Sequence, residues 1–224
     1  NRSDLVPLVG SLGIDWHEIV EDPEIAIAVE AMGGIEPARS FILAAIDAGK
    51  HVVTANKALL ALHGEEIFAA AEKAGVDVYY EASVAGGIPI IKALREGLVS
   101  NRISRIYGIM NGTCNYILTR MENEGADFTT VLADAQKLGY AEANPSLDID
   151  GFDTAHKTAI LAALAYGRWF GLEPVHVEGI RDLELADLRY ADELGYRIKL
   201  LAIIKSADGK VQMRVHPTLI PKNV

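Results

Sequence analysis

The chain has 224 residues, 50% of them apolar and 23% charged, and its 31 acidic side chains outnumber the 21 basic ones to give a net charge of −10. This composition is that of a globular protein and excludes a disordered chain, and without a basic stripe nucleic acid is not an expected partner. No apolar run approaches the roughly eighteen residues that cross a bilayer, so we expect no membrane partner. The length allows one large domain or two small ones.

The cysteine content and the two ends of the chain indicate where the protein works. A single cysteine, Cys114, excludes an internal disulfide and favours a reducing cytoplasm. The start of the chain carries no signal-peptide pattern. Because the sequence begins at Asn1 and ends in Pro-Lys-Asn-Val, we expect a cytoplasmic fragment of a longer protein.

The first third of the chain alternates apolar runs with helical patterns. After a short helix near 16–21, we predict strands over 25–29, 51–54 and 76–80 and helices over 37–48 and 64–74. This alternation, with short turns, is typical of βαβ units and a parallel sheet. Ligands of such sheets bind beyond the carboxyl ends of the strands. The turn Gly33-Gly34, residues 54–57 and residues 81–83 are therefore expected along one rim.

A dinucleotide-binding domain normally carries Gly-x-Gly-x-x-Gly after its first strand. That fingerprint is absent from the sequence, and Gly10-Ser11-Leu12-Gly13 does not fit its spacing. We therefore predict that residues 1–84 form a partial NAD(P)-binding, Rossmann-like domain that lacks its phosphate-binding first half.

The pattern changes beyond residue 85. We predict a helix over 89–98, a strand over 103–110, helices over about 114–123, 128–138 and 153–169, and strands over 198–205 and 211–216. Strands that pack under helices in this order form an α+β domain, which we assign to residues 85–224.

Carboxylates are concentrated between Gly139 and Lys157, in an acidic loop that leads into an alanine-rich helix. Asp153 lies at the start of that helix, where the helix dipole favours a carboxylate, and Lys157 follows one turn later on the same face. An ordinary ion pair would explain these two residues. The other carboxylates of the loop and the apolar helix behind it favour a site with a half-buried, tunable lysine.

Three segments of the chain resemble the homoserine dehydrogenase family: Thr54–Lys57 (Thr-Ala-Asn-Lys), Asn111–Leu118 (Asn-Gly-Thr-Cys-Asn-Tyr-Ile-Leu) and Gly139–Lys157. The likeness extends over nearly the whole chain. It implies an oxidoreductase that reduces L-aspartate 4-semialdehyde to L-homoserine with NADPH or NADH, in the biosynthesis of threonine, methionine and isoleucine. It also implies the C-terminal part of a Rossmann-like domain followed by an α+β catalytic and dimerisation domain, in a homodimer with a small-molecule substrate.

The resemblance further implies a role for particular residues. Lys157 matches the proton donor, Asp153 the acid that holds it and contacts the substrate, and Lys57 a second lysine near the nicotinamide. The substrate pocket would consist of Glu142, which binds the amino group, and of Asp148, Tyr140, Gly112 and Thr113. The cofactor would be bordered by Gly33, Gly34, Thr54, Asn56 and Lys57. A sodium ion would be bound by the loop that contains Glu81, Val84, Gly86 and Ile88.

Two other interpretations stay open. In dehydrogenases of the glucose–fructose oxidoreductase type a Gly-Lys-His-Val strand precedes Glu-Lys-Pro, whereas here Gly49–Val52 precedes Ala55-Asn56-Lys57, which counts against that type. A catalytically incomplete core for substrate binding and dimerisation is compatible with the missing phosphate loop.

The sequence departs from the family pattern at two positions, Asn144 in place of an aspartate and Cys114 in place of a threonine. Neither position carries an assigned catalytic role. We predict that the Cys114 thiol is buried and inert, because no activating base is near it in sequence. His156 is expected to be a packing or surface residue, since it points about a third of the way round the helix from Lys157.

Overall fold

The structure is a computed structural model that describes residues 15–223, so residues 1–14 of the predicted first domain lie outside the described residues. Its first part consists of α1 (His17–Glu21), β1 (Ile27–Glu30), α2 (Ala38–Asp47), β2 (His51–Thr54), α3 (Lys57–Ala74) and β3 (Val78–Tyr79). The strands form a parallel sheet in the order β1-β2-β3. The predicted parallel, Rossmann-like sheet is confirmed.

This sheet is covered on one face only. Ala28, Val52 and Val78 point towards α2 and α3 and are at most 5% exposed. On the opposite face, Val29 is 66% exposed and Tyr79 is 50% exposed, and no other element among residues 15–223 packs over them. Parallel sheets are normally buried on both faces, so the described strands account for one half of a doubly wound layer.

The second part begins after a 3₁₀ turn at Glu81–Ser83. It consists of α4 (Ile90–Lys92), which continues as a π-helical turn (Ala93–Gly97), followed by β4 (Arg105–Gly108), α5 (Gly112–Glu124), α6 (Phe128–Lys137), α7 (Ser146–Ile149), α8 (Phe152–Tyr166), β5 (Val175–Val177), α9 (Leu185–Glu193), β6 (Tyr196–Ala207) and β7 (Lys210–Pro221). Its sheet has the order β4-β6-β7-β5, with β6 and β7 as an antiparallel hairpin and β5 parallel to β7. Helices α5, α8 and α9 pack against β6.

The predicted start of α3 at residue 64 is wrong, since the helix begins seven residues earlier at Lys57. Asn56 caps it, because its Oδ1 accepts a hydrogen bond from the amide of Leu59 at 3.1 Å. Gly64 does not start or break the helix. A Cβ at this position would lie 2.4 Å from the Trp169 ring, so glycine is required there for close packing.

Other boundaries also differ from the predictions. The third strand shortens from 76–80 to Val78–Tyr79, and the terminal hairpin is longer than predicted, at Tyr196–Ala207 and Lys210–Pro221. The short strand β5 and helix α9 were not predicted, because neither carries a long periodic pattern. The acidic loop contains the one-turn helix α7, which Pro145 precedes.

Helices α3 and α8 pack against each other and join the two parts of the chain. Helix α8 is buried along most of its length, with Ile160 and Leu161 each 1% exposed. This contact brings Lys57, at the beginning of α3, towards the first turn of α8. Among residues 15–223, no helix has the length and apolar character needed to cross a membrane.

Candidate active site

Asp153 lies at the centre of a cluster of charged side chains. Its Oδ2 accepts hydrogen bonds from Lys157 Nζ at 2.6 Å and from Asn111 Nδ2 at 2.9 Å. Its Oδ1 lies 3.3 Å from Lys57 Nζ, and its side chain is 6% exposed. The structure thus brings together the three residues predicted to be catalytic: Lys157 and Lys57 both contact the buried carboxylate of Asp153.

The surroundings of Asp153 keep it ionised. Burial acts to raise the pKa of its carboxyl group, but the hydrogen bond and charge of Lys157, the Asn111 amide and the charge of Lys57 outweigh burial. The pKa of Asp153 is therefore held below its ordinary value. A negative charge at this point balances two ammonium groups that would otherwise repel each other.

Lys157 is oriented by two acceptors. Its Nζ donates to Asp153 Oδ2 and, at 2.7 Å, to the carbonyl oxygen of Met110, and its side chain is 16% exposed. An ammonium group has three N–H donors, and residues 15–223 accept from two of them, which leaves one for a ligand. Lys157 is therefore the half-buried lysine expected from the sequence, and two of its N–H groups fix its position.

Lys157 and Asp153 line a cleft of about 600 Å³. The cleft is lined by Asn111, Gly112, Thr113, Tyr116, Gly139, Tyr140, Asp148, Asp153 and Lys157. Four of the five residues predicted to bind substrate line this cleft, and the fifth, Glu142, does not. Glu142 is exposed in the loop after α6, where its carbonyl oxygen accepts a hydrogen bond from Gln136 Nε2 at 3.0 Å.

Three residues of the cleft, Asn111, Tyr116 and Gly139, were not among the predicted site residues. Asn111 is the N-cap of α5, and its place before Gly112 at the start of a helix could have identified it as a cap but not as a partner of two carboxylates. Tyr116 packs edge-on against Tyr140 with their ring centroids 5.0 Å apart, and Thr113 Oγ1 donates to the Tyr140 carbonyl oxygen at 2.9 Å. These contacts fix the cleft wall that carries Tyr140.

A second cluster lies at the carboxyl ends of β1 and β2. Glu30 is 1% exposed, and its Oε1 accepts from the amides of Met32 and Gly33 at 2.7 and 3.1 Å. Its Oε2 accepts from Thr54 Oγ1 at 2.6 Å, and Asn56 Nδ2 donates to the Gly34 carbonyl oxygen at 2.7 Å. The predicted cofactor residues Gly33, Gly34, Thr54 and Asn56 thus form one hydrogen-bonded rim, which Lys57 follows.

Two features of the rim depend on residue type. Gly33 and Gly34 both have φ of +74°, a conformation that glycine adopts without strain. Glu30 was missed by sequence reasoning, because a carboxylate at the end of a strand does not reveal that it will be buried against the following turn.

The loop predicted to bind sodium contains both engaged and free oxygens. The Glu81 carboxylate accepts from the amides of Ile91 and Lys92 at 2.9 and 2.8 Å and so caps α4. The Ile88 carbonyl oxygen accepts from the Ile90 amide at 2.8 Å. The carbonyl oxygens of Val84 and Gly86 receive no donor from the described part of the chain. Carbonyl oxygens are suitable ligands for a hard cation.

Cys114 and His156 adjoin the site, but neither takes part in its chemistry. Cys114 is fully buried, as predicted, and burial together with the negative charges of Asp148 and Asp153 raises the pKa of its thiol far above the ordinary value. His156 is 7% exposed, and burial lowers the pKa of its imidazole, which is therefore neutral at neutral pH. It is a packing residue rather than a surface one.

A parallel sheet that ends in a glycine rim, joined to an α+β unit whose cleft holds a lysine–carboxylate pair, is typical of two-part dehydrogenases of the Rossmann type. Comparison with known families agrees with that class. The sequence model described as homoserine dehydrogenase matches residues 89–224, and the one described as homoserine dehydrogenase, NAD binding domain matches residues 11–81. The chain belongs to the homoserine dehydrogenase family.

Individual relatives give the same result. The homoserine dehydrogenase of Synechocystis sp. is 57% identical over 216 residues, which cover 95% of this chain and 50% of that protein. The crystal structure of a homoserine dehydrogenase from Thiobacillus denitrificans superimposes with a TM-score of 0.95 at 55% identity, over 100% of this chain and 52% of that one.

A more distant relative is a hyperthermophilic archaeal homoserine dehydrogenase in complex with NADPH. Its TM-score is 0.82 at 29% identity, over 97% of this chain and 64% of that one. The chain spans about half the length of the curated relatives it matches.

Proposed function

We propose that the protein interconverts L-homoserine and L-aspartate 4-semialdehyde with NAD(P), with Lys157 as the general acid and base. The observation that carries this proposal is the Lys157 ammonium, held by Asp153 and Met110 beside the cleft, with one N–H that no residue of 15–223 accepts. Reduction of an aldehyde leaves negative charge on its oxygen. A neighbouring ammonium group stabilises that charge and supplies the proton.

The buried carboxylate governs the proton transfer. In reduction, Lys157 gives its proton to the substrate oxygen, and Asp153 keeps the lysine in place throughout. In oxidation, the neutral Lys157 amine takes the proton of the hydroxyl group. Lys57, 3.3 Å from Asp153 Oδ1, adds a second positive charge that orients the carboxylate and the reacting oxygen.

The amino-acid part of the substrate requires an acid for its ammonium group. The resemblance assigns that role to Glu142, and we propose Asp148 beside it because Asp148 lines the cleft. Glu142 would join it from the exposed loop after α6. Gly112, Thr113 and Tyr140 would form the remaining wall of the substrate pocket, since all three line the same cleft.

The nicotinamide end of NADP or NAD would lie against Gly33, Gly34, Thr54, Asn56 and Lys57. The bound cofactor would supply or accept the hydride. The hydrogen bonds that the Met32 and Gly33 amides donate to Glu30 support this role, because they fix a backbone loop at the carboxyl ends of two parallel strands. The archaeal relative in complex with NADPH also supports it.

Further parts of the proposal rest on the family resemblance. A sodium ion would use backbone oxygens of the loop that contains Glu81, Val84, Gly86 and Ile88, and the two unengaged carbonyls in that loop support it. The boundary between nucleotide-binding and catalytic domains would fall between residues 84 and 85. A homodimer in the cytoplasm completes the assignment, and the half-exposed Tyr107 on the edge strand β4 supports self-association.

The test is turnover by the full-length protein with a panel of substrates. We expect reduced nicotinamide to form from L-homoserine with NADP⁺ or NAD⁺, and not from D-homoserine or L-serine. Turnover of other hydroxy compounds but not L-homoserine would contradict the proposal and favour another two-part dehydrogenase.

A second test addresses the incomplete-core interpretation. The 224-residue chain alone should bind NADPH far more weakly than the full-length protein does, because it lacks the glycine fingerprint that receives the pyrophosphate. Equal affinity would show that the prediction of a missing phosphate-binding half is wrong.

A further inference from the structure

Asn111 is a buried polar residue at the point where three segments of the site meet. It is 4% exposed and forms the N-cap of α5, with its Oδ1 accepting a hydrogen bond from the Cys114 amide at 2.8 Å. Because Oδ1 is engaged by a backbone donor, Nδ2 faces the opposite way. There it donates to Asp148 Oδ1 at 2.6 Å and to Asp153 Oδ2 at 2.9 Å.

The amide group distributes its two hydrogens between two acids. Each carboxylate receives one N–H, and a donor that cannot accept favours the ionised form of its partner. The second oxygen of Asp148 receives no donor from residues 15–223, and Asp148 lines the cleft. The second oxygen of Asp153 faces Lys57. Asn111 therefore determines which oxygen each acid presents.

The capping role of Asn111 does not need these contacts. An N-cap requires only an acceptor oxygen, which serine provides about as well as asparagine. Aspartate would also cap the helix, but it would add a third carboxylate against Asp148 and Asp153. Asparagine provides an acceptor for the helix and two donors for the acids in one side chain.

We propose that Asn111 is a positioning residue of the reaction, which orients Asp148 towards the ammonium group of the substrate and Asp153 beneath Lys157. This inference rests on the proposed function. It predicts that the cap and the two amide donors can be separated by substitution, because they belong to different atoms of the same side chain.

Two variants of the full-length protein make that separation. Asn111→Ser keeps a capping oxygen and removes both amide donors, whereas Asn111→Ala removes the cap as well. Asp127→Ala is the matched control for a lost cap, because Asp127 caps α6 through the Thr130 amide at 2.9 Å and does not line the cleft. The measurements are kcat and KM for L-homoserine, KM for NADP⁺, the pH profile and Tm.

In Asn111→Ser, kcat/KM for L-homoserine should fall about tenfold or more, with KM for NADP⁺ unchanged, because hydrogen bonds to charged groups are lost. The acid limb of the pH profile should move to higher pH, because the Asn111 amide lowers the pKa of Asp153. Its Tm should fall, because buried hydrogen bonds to two acids are lost, but by less than that of Asn111→Ala, which also loses the cap. Asp127→Ala should lose about 2–4 °C in Tm and keep wild-type kinetics.

The outcomes distinguish a failure of the positioning role from a failure of the proposed function. If the wild type oxidises L-homoserine and both Asn111 variants, measured per folded protein, keep its kcat/KM and acid limb, Asn111 is only a cap and the inference is wrong. If the wild type does not act on L-homoserine, the proposed function fails, and the positioning role fails with it.

Discussion

Two buried carboxylates, Glu30 and Asp153, organise the two halves of the site, and they differ in the donors that surround them. Among residues 15–223, Glu30 accepts only from neutral groups, two backbone amides and the Thr54 hydroxyl. Asp153 faces two ammonium groups and one amide. A carboxylate that binds a backbone turn fixes the shape of that turn. A carboxylate that binds a lysine controls the charge and position of a proton donor.

The comparison is tested most strongly at Asp153. Replacing it in Asp153→Asn leaves two ammonium groups without their anion, so kcat should fall by about a hundredfold or more with L-homoserine. In the wild type, Lys157, Asn111 and Lys57 hold the pKa of Asp153 below its ordinary value despite burial, so its ionisation should limit activity only in acid. The acid limb that reports it should disappear in the variant, as a pH profile of kcat/KM would reveal.

Asp153 also contributes to stability in a pH-dependent way. Because its pKa is depressed in the folded protein, that contribution is present above the unfolded pKa and is lost as pH falls through the folded value. The urea midpoint of the wild type should therefore decrease more steeply in acid than that of Asp153→Asn. Parallel decreases would contradict the assigned ionisation.

Gly64 tests the packing that connects the two halves. Gly64→Ala places a Cβ 2.4 Å from the Trp169 ring and pushes α3 away from it. We expect the free energy of unfolding to decrease by about 1–3 kcal/mol and kcat to fall, because Lys57 moves with α3. Gly97→Ala is the matched control, since a Cβ there meets nothing within 4 Å. Equal effects of the two substitutions would contradict the packing argument.

Glu30→Gln should act on the cofactor rather than on the chemistry. The substitution keeps the size of the side chain but removes the negative charge that accepts hydrogen bonds from the Met32 and Gly33 amides. KM for NADP⁺ should rise about tenfold, as expected for weakened hydrogen bonds to a charged group, with KM for L-homoserine nearly unchanged. A kcat loss as large as that of Asp153→Asn would remove the distinction between the two carboxylates.

The smallest effect is expected at Glu142, which is exposed outside the cleft. Glu142→Gln should raise KM for L-homoserine a few-fold, on the order of 1 kcal/mol in binding, and leave KM for NADP⁺ unchanged. Glu65→Gln, on the exposed face of α3, is a suitable control. An unchanged KM for L-homoserine would remove Glu142 from the substrate site.

The two halves also differ in how far the sequence predicts them. The alternating strands and helices of the first part and the i,i+4 relation of Asp153 and Lys157 depend on local patterns, and both were predictable. The contact of Lys57 with Asp153 joins helices 96 positions apart in the sequence, counted from residue 57 to residue 153. The strand pattern placed Lys57 on the rim of the parallel sheet, but only the family resemblance placed it near the substrate, because spacing alone contains no information about such a distant contact.

Sequence reasoning missed Glu30 and Asn111 for the same reason. Glu30 and Asn111 are ordinary polar residues at a strand end and a helix start, where an exposed side chain is the usual expectation. Their importance comes from burial against later segments, Thr54 for Glu30 and Asp148 with Asp153 for Asn111. The early start of α3 was also missed: the helix runs through Gly64, whose packing partner Trp169 lies far along the chain.

The most direct test of the central claim compares Lys157→Ala with Lys57→Ala in the full-length protein. Oxidation of L-homoserine with NADP⁺ should slow by about a hundredfold or more in Lys157→Ala, and by less in Lys57→Ala, because only Lys157 transfers the proton. Lys157→Ala should keep the wild-type KM for NADP⁺. Near-wild-type turnover by Lys157→Ala, with the large loss in Lys57→Ala instead, would contradict the account and assign the proton transfer to Lys57.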